Sequence, residues 1–340
     1  MQIIKPKLFN PTGDDALQAR QIINGNPTNI INLNNIKYKN FYRLYQKQLE
    51  QFWIPQKVSL ADDKINDLTD DEYKAFKGIL SFLTFLDSIQ VNNLPNLIEY
   101  FSAPEVKLAL STQQFFETIH VASYQYVFES LISSAEERDS IYDFWREDPI
   151  LLERNAYIAK IYQDFIDDQS EENFYKVIIA DYLLESIYFY QGFIYFYNLA
   201  SRKKLVGTSA IIRYINKDEL LHVAIFAALI NEFKDKIPKE LIYSMMQTAV
   251  EQEIKWNKHI LTNILGINDL SIEQYTKYLA NKRLRQIGLD NLYENIENPY
   301  KHLEKMSGSD EHKDKVKSNF FETSVTNYSL ASSIDGWDEI

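Results

Sequence analysis

Between residues 69 and 265 apolar side chains return every three or four positions, the period of helices buried along one face. That pattern predicts an all-α protein and not a sandwich or an alternating α/β fold. Glycine and proline, 9 each, are scarce enough to agree. Thr69-Asp70-Asp71-Glu72 has the form of a capping box, and the helix it opens carries Phe76, Leu80, Leu83 and Asp87 on one face. A second helix is expected over residues 105–132. A third places Ile178, Tyr182, Glu185, Phe189 and Phe193 on one face, and a fourth, after Gly207, does the same with Ile212, Ile215, Glu219, His222 and Phe226. Pro149 and the polar segment 164–172 mark breaks, and further helices are expected after Pro238 and Ser271.

The two ends read differently. Residues 10–40, rich in Asn with Gly13, Gly25 and Pro27, suggest an irregular arm. From about residue 307 the chain turns polar and reads as a flexible tail with a few apolar anchors, Trp337 and Ile340 among them, suited to docking on a partner. The chain is therefore divided into an arm (1–45), a helical domain (46–306) and a docking tail (307–340).

A net charge of -12 without a basic stripe argues against a nucleic-acid surface. No run approaches the roughly 20 apolar residues of a membrane span, and the start, MQIIKPKLFNPTGDD, lacks a signal peptide's apolar core, so a cytoplasmic protein without membrane contact is expected. The absence of cysteine excludes disulfides, thiolate metal sites and dithiol redox chemistry within this chain. Any thiols its chemistry requires must come from another chain.

The apolar stripes carry chemistry that a core does not need. One Glu-x-x-His on a helix is more often a surface pair or a satisfied core histidine, but here there are two, Glu117/His120 and Glu219/His222. Each follows another acid on an apolar face, Asp87 by 30 residues and Glu185 by 34. Four buried carboxylates without compensation would be prohibitive, and no lysine or arginine shares their faces. Two divalent cations would balance the four charges, with two imidazoles completing the shells. Oxygen-rich ligands with histidine suit iron or manganese better than structural zinc. One acid from each of two helices and Glu-x-x-His from each of the other two is the ligand pattern of ferritin-like dinuclear bundles. Tyr124 falls one turn beyond His120 on the same stripe, where a phenol could serve as an electron source for a centre that activates dioxygen. Phe189, Phe193 and Ile215 are candidates for the apolar shell that would protect it.

These residues carry a resemblance. LDSIQ with Asp87, FETIHVASY, LLESIYFYQGF with Glu185, and INKDELLH with Glu219 and His222 resemble the small, radical-generating subunit of class I ribonucleotide reductase, from QFWIPQKV at residue 51 to the tail. The resemblance implies a ferritin-like bundle holding one metal by Asp87, Glu117 and His120 and a second by Glu185, Glu219 and His222, with di-iron ahead of di-manganese. It implies a radical stored on Tyr124 and passed to a large subunit that converts ribonucleotides to deoxyribonucleotides. Trp53, Asp218 and Tyr328 match the family's transfer route, Asp218 linking Trp53 to His120 and Tyr328 passing the radical between subunits. A homodimer is implied, and, if manganese is used, an activating flavoprotein.

Some relatives place phenylalanine at the radical position and use a mixed manganese/iron cluster, usually with glutamate as the first ligand; this chain keeps Tyr124 and Asp87. Three alternatives remain: a stand-alone oxidase or oxygenase of the same bundle class, a non-catalytic metal-binding protein, and a dinuclear hydrolase. The first two have no need of a docking tail, and the third lacks a companion nucleophile or phosphate loop.

Overall fold

The structure is a computed structural model that describes residues 1–304; Tyr328, Trp337, Ile340 and the expected docking tail lie outside the described residues. Among the described residues there is no strand, and ten helices longer than two turns follow one another. They are α1 (Lys39–Glu50), α2 (Asp70–Ile98), α3 (Pro104–Leu131), α4 (Ala135–Glu147), α5 (Pro149–Asp167), α6 (Glu171–Leu183), α7 (Tyr190–Ser201), α8 (Val206–Glu232), α9 (Lys239–Ile260) and α10 (Asp269–Gln286). A last turn spans Lys301–Glu304.

Local chemistry sets where the long helices begin. Thr69 accepts from the Glu72 amide at 3.2 Å while the Glu72 carboxylate accepts from the Thr69 amide at 2.9 Å, so the capping box at α2 is closed. The α8 N-terminus is capped from a distance. Leu205 turns through φ +46°, and Asp63 accepts from the amides of Gly207 and Thr208 at 2.9 and 2.6 Å and from the Thr208 hydroxyl at 2.7 Å. A carboxylate there meets both the free amides and the positive end of the helix.

Some boundaries differ from those expected. Pro104 takes the first position of α3, where its missing amide costs nothing. Pro149 likewise starts α5, so the chain breaks by one residue, Asp148, which caps the new helix. Only residues 168–170 of the polar segment 164–172 lie outside helices. The last long helix begins at Asp269, ahead of Ser271, because Asn268 and not Ser271 is the cap.

The largest departure is in the third key helix. It is not a continuous α-helix: Leu184–Tyr188 form a π turn between α6 and α7, and Glu185 stands on it. The combined helix Glu171–Ser201 is long and apolar enough to satisfy the length and hydropathy of a membrane span, contrary to the sequence expectation. Its apolar stretch is wholly buried because the other helices surround it, which also explains why its sequence shows little amphipathic contrast.

The first 38 residues form no regular helix, α1 beginning at Lys39 within the span read as an arm, yet they are tied to the bundle. Ile3, Ile22 and Ile23 are buried, the Ser102 amide donates to the Ile22 carbonyl at 2.7 Å, and Arg20 pairs with Glu105 in a buried 2.8 Å contact at the start of α3. α2, α3, the α6–α7 helix with its π turn, and α8 bring the acids and histidines singled out from the sequence to the interior, the ferritin-like arrangement.

Candidate metal centre

Asp87 from α2, Glu117 and His120 from α3, Glu185 from the π turn, and Glu219 and His222 from α8 are all completely buried. They form two groups of four, Asp87/Glu117/His120/Glu219 and Glu117/Glu185/Glu219/His222, within each of which one ligand atom per residue lies within 4.8 Å of the others. Glu117 and Glu219 belong to both. All six acids and histidines singled out from the sequence are thereby brought together.

The imidazoles turn Nδ1 inward. His120 Nδ1 stands 3.1 Å from Glu117 Oε2, 3.1 Å from Glu219 Oε1 and 3.9 Å from Asp87 Oδ2. His222 Nδ1 stands 2.8 Å from Glu219 Oε2, 3.1 Å from Glu117 Oε1 and 3.8 Å from Glu185 Oε2. Their outer nitrogens differ: His120 Nε2 meets Asp218 Oδ2 at 3.3 Å, whereas His222 Nε2 has no hydrogen-bond partner.

Without cations, protons compensate the acids. Burial holds the Asp87 and Glu185 carboxyls well above the usual carboxylate range, reinforced by Glu117 and Glu219. For both imidazoles burial opposes protonation but is outweighed by carboxylates, Glu219 foremost at His120 and Glu117 at His222, so both are held well above an ordinary histidine. Glu219 moves the other way: the two imidazoles overcome its burial and keep it ionised.

This donor set fits two divalent ions. Both oxygens of Asp87, Oε2 of Glu185 and Oε1 of Glu219 are buried without a hydrogen-bond partner, an arrangement costly for carboxylates unless something else binds them. No lysine or arginine forms an ion pair with the four acids among the described residues. Cations would replace the protons, and Glu117 and Glu219 could reach both ions.

Tyr124, one turn after His120, is also completely buried. Its hydroxyl has no hydrogen-bond partner, and burial together with the Asp87 carboxylate raises its pKa far above a free phenol's. Phe189, Phe193 and Ile215 are all buried in the same core. Trp53 Nε1 donates to Asp218 Oδ2 at 2.7 Å, so one carboxylate joins Trp53 and His120. The indole is buried and stacks on Tyr214 at 5.0 Å between centroids.

Other residues brace the clustered acids and the turn that carries Glu185, and the sequence reading passed over them. Gln90 Nε2 and Gln113 Nε2 donate to Glu185 Oε1 at 2.6 and 2.8 Å. Gln90 is three positions after Asp87 and Gln113 four before Glu117, so stripe spacing could have found both. The π turn is fastened by two buried arginines. Arg154 from α5 donates to the Tyr188 carbonyl at 2.9 Å and pairs with buried Glu253, while Arg283 from α10 donates to the Ser186 carbonyl at 3.3 Å. A π turn disturbs the regular backbone ladder, and these guanidinium groups occupy two of its carbonyls. Nothing local in the sequence announces that pairing.

The comparisons with known proteins agree with this geometry. The family described as Ribonucleotide reductase, small chain, matches residues 30–299. The ribonucleoside-diphosphate reductase subunit beta of Treponema pallidum is 38% identical, the alignment covering 96% of this chain and 95% of that one. The solved R2 subunit of Clostridium botulinum ribonucleotide reductase is 43% identical, with a TM-score of 0.87 over 90% of this chain and 99% of that one. Dimanganese(II)-NrdF of Streptococcus sanguinis, 23% identical with a TM-score of 0.72 over 82% of this chain and 98% of that one, shares the fold. The chain belongs to the ribonucleotide reductase small-chain family: it is the beta subunit of a class I ribonucleoside-diphosphate reductase, an oxidoreductase completed by a large subunit.

Proposed function

We propose that this subunit generates and keeps a tyrosyl radical at Tyr124 and delivers it to the large subunit. The observation that carries the reading is the pair of interlocked ligand groups sharing Glu117 and Glu219, with the unpartnered Tyr124 hydroxyl beside Asp87. Asp87, Glu117 and His120 would hold one ion, and Glu185, Glu219 and His222 the other. When bound, the two ions supply the redox equivalents that activate dioxygen. We take them to be iron: manganese suits the same donors but would bring the further requirement of a flavoprotein to furnish the oxidant.

Tyr124 gives up an electron and its phenolic proton, for which the Asp87 carboxylate is the adjacent acceptor. Complete burial keeps water and reductants from the phenoxyl. Asp218 orients His120 by accepting at Oδ2 from Nε2, which leaves Nδ1 for the metal, and the same oxygen holds the Trp53 indole. That Trp53–Asp218–His120 line gives the radical an exit that a stand-alone oxidase or a metal store would not need. Tyr328 would continue the route, with the tail, anchored by Trp337 and Ile340, docking on the large subunit.

The subunit would pair with a second copy of itself. Phe52 and Phe115 stack 6.1 Å apart on the surface where the end of α1 meets α3, and Leu49 and Ile54 beside them are also exposed. Adding the metal-loaded chain to the purified large subunit tests the function: ribonucleoside diphosphate reduction is expected with the wild type and not with Tyr124→Phe. Equal turnover by the two would refute the role of Tyr124.

A further inference from the structure

A second phenol shares this interior. Tyr162 of α5 is 2% exposed and donates from Oη to Asp181 Oδ1 of α6, itself fully buried, at 2.6 Å. The same Oη lies 3.2 Å from Gln90 Oε1, and Gln90 Nε2 donates to Glu185 Oε1 at 2.6 Å. An unbroken line of polar contacts therefore runs from the metal ligand Glu185 through Gln90 to Tyr162 and ends at Asp181. Other phenols donate to carboxylates, Tyr73 to Glu137 and Tyr175 to Glu171, but those acids are partly exposed.

Oxidation of a phenol requires a destination for its proton. Tyr124 has Asp87 beside it, and Tyr162 has an acceptor already hydrogen-bonded at 2.6 Å, whose Oδ2 is buried with no partner of its own. Burial pushes the Asp181 carboxyl up to about 7, so near neutrality it is basic enough to retain a proton delivered to it. Mere packing would be served by phenylalanine with an apolar neighbour, at less desolvation cost.

We propose that Tyr162, with Asp181 as its proton acceptor, is a second oxidisable phenol that takes the oxidising equivalent when Tyr124 cannot. One electron passes from the Tyr162 ring to the oxidised metal centre, which is reduced by that electron. The Tyr162 O–H bond breaks, an O–H bond forms at Asp181 Oδ1, and a neutral phenoxyl remains hydrogen-bonded to a neutral carboxylic acid. The oxidant is that of the proposed function, and the inference rests on that reading.

High-field electron paramagnetic resonance of chain loaded with ferrous iron and exposed to oxygen tests it, with metal content and circular dichroism checked for each variant. Tyr124→Phe is expected to lose the wild-type signal and to show a second phenoxyl. The Asp181 hydrogen bond should lower that radical's largest g-value relative to Tyr124 and add a deuterium coupling after exchange. This signal is expected to vanish in Tyr124→Phe/Tyr162→Phe and to be lost or sharply reduced in Tyr124→Phe/Asp181→Asn. A second phenoxyl that survives in Tyr124→Phe/Tyr162→Phe, or none in Tyr124→Phe beside a normal wild-type signal, overturns the proposal and leaves the proposed function standing. A wild type whose radical sits on Tyr162 alone overturns the role of Tyr124 instead, and a chain with no phenoxyl in any form overturns both.

Discussion

Trp53 Nε1 donates a 2.7 Å hydrogen bond to Asp218 Oδ2, joining residues 165 positions apart, and the same oxygen lies 3.3 Å from His120 Nε2. One buried carboxylate thus holds an aromatic ring against the outer edge of a proposed metal ligand. Trp53→Phe keeps a ring but removes the donor. Ribonucleotide reduction with the large subunit is expected to fall to background while metal content and the Tyr124 signal persist, at a stability cost of about 1–3 kcal/mol in urea unfolding. Undiminished turnover would remove Trp53 from the route.

Replacing protons by metal makes loading pH-dependent. Asp87, Glu185, His120 and His222 all have raised values in the metal-free fold, so their contribution to its stability is complete below their unfolded values and is lost as pH rises through the raised ones. Glu219, shifted down, contributes above its unfolded value and loses that contribution only in acid. The melting temperature of the metal-free chain is therefore expected to fall as pH rises above the ordinary carboxyl range, about pH 4, and further above the ordinary imidazole range, about pH 6.5, while that of the loaded chain does not. Titration calorimetry in buffers of differing ionisation enthalpy should show protons released on metal uptake.

The arginines on the π turn separate fold from site. Arg154→Ala leaves Glu253 buried without its cation and frees the Tyr188 carbonyl, so a loss of about 3–5 kcal/mol is expected in urea unfolding. Arg283→Ala frees the Ser186 carbonyl and gives up the contacts with Gln286 and the Tyr190 ring, but leaves no buried acid without its cation, for about 1–3 kcal/mol. Glu185 rides on the turn that both hold, so metal titration of Arg283→Ala should weaken one equivalent more than the other. Equal weakening of both equivalents would make the contact a matter of folding alone.

The expected docking tail is tested by deletion. Removing residues 325–340 takes away Tyr328, Trp337 and Ile340, and should abolish turnover with the large subunit while leaving metal content and the radical signal intact. Full activity of the shortened chain would refute both relay and docking.

The six clustered acids and histidines were legible because helical spacing lets a sequence display them: a repeated Glu-x-x-His with an upstream acid on each apolar face is visible one helix at a time. Asp181 follows the same rule, four residues before Glu185 within IIADYLLES, and a stripe reading that asked about every buried polar residue would have reached it. Trp53 and Asp218 were legible only by resemblance, since nothing in either neighbourhood says that they meet. The π turn and the two arginines that fasten it were not legible. Helix Glu171–Ser201 is apolar on nearly every side, so its sequence has no amphipathic phase from which a one-residue slip could be detected.

The central claim is that the buried cluster exists to oxidise Tyr124, and electron paramagnetic resonance of iron-loaded, oxygen-exposed protein addresses it most directly. The wild type is expected to show a tyrosyl radical whose hyperfine pattern changes when the tyrosine ring is deuterated and whose signal is absent from Tyr124→Phe. A radical of unchanged line shape in Tyr124→Phe, with both metal equivalents bound, would contradict it.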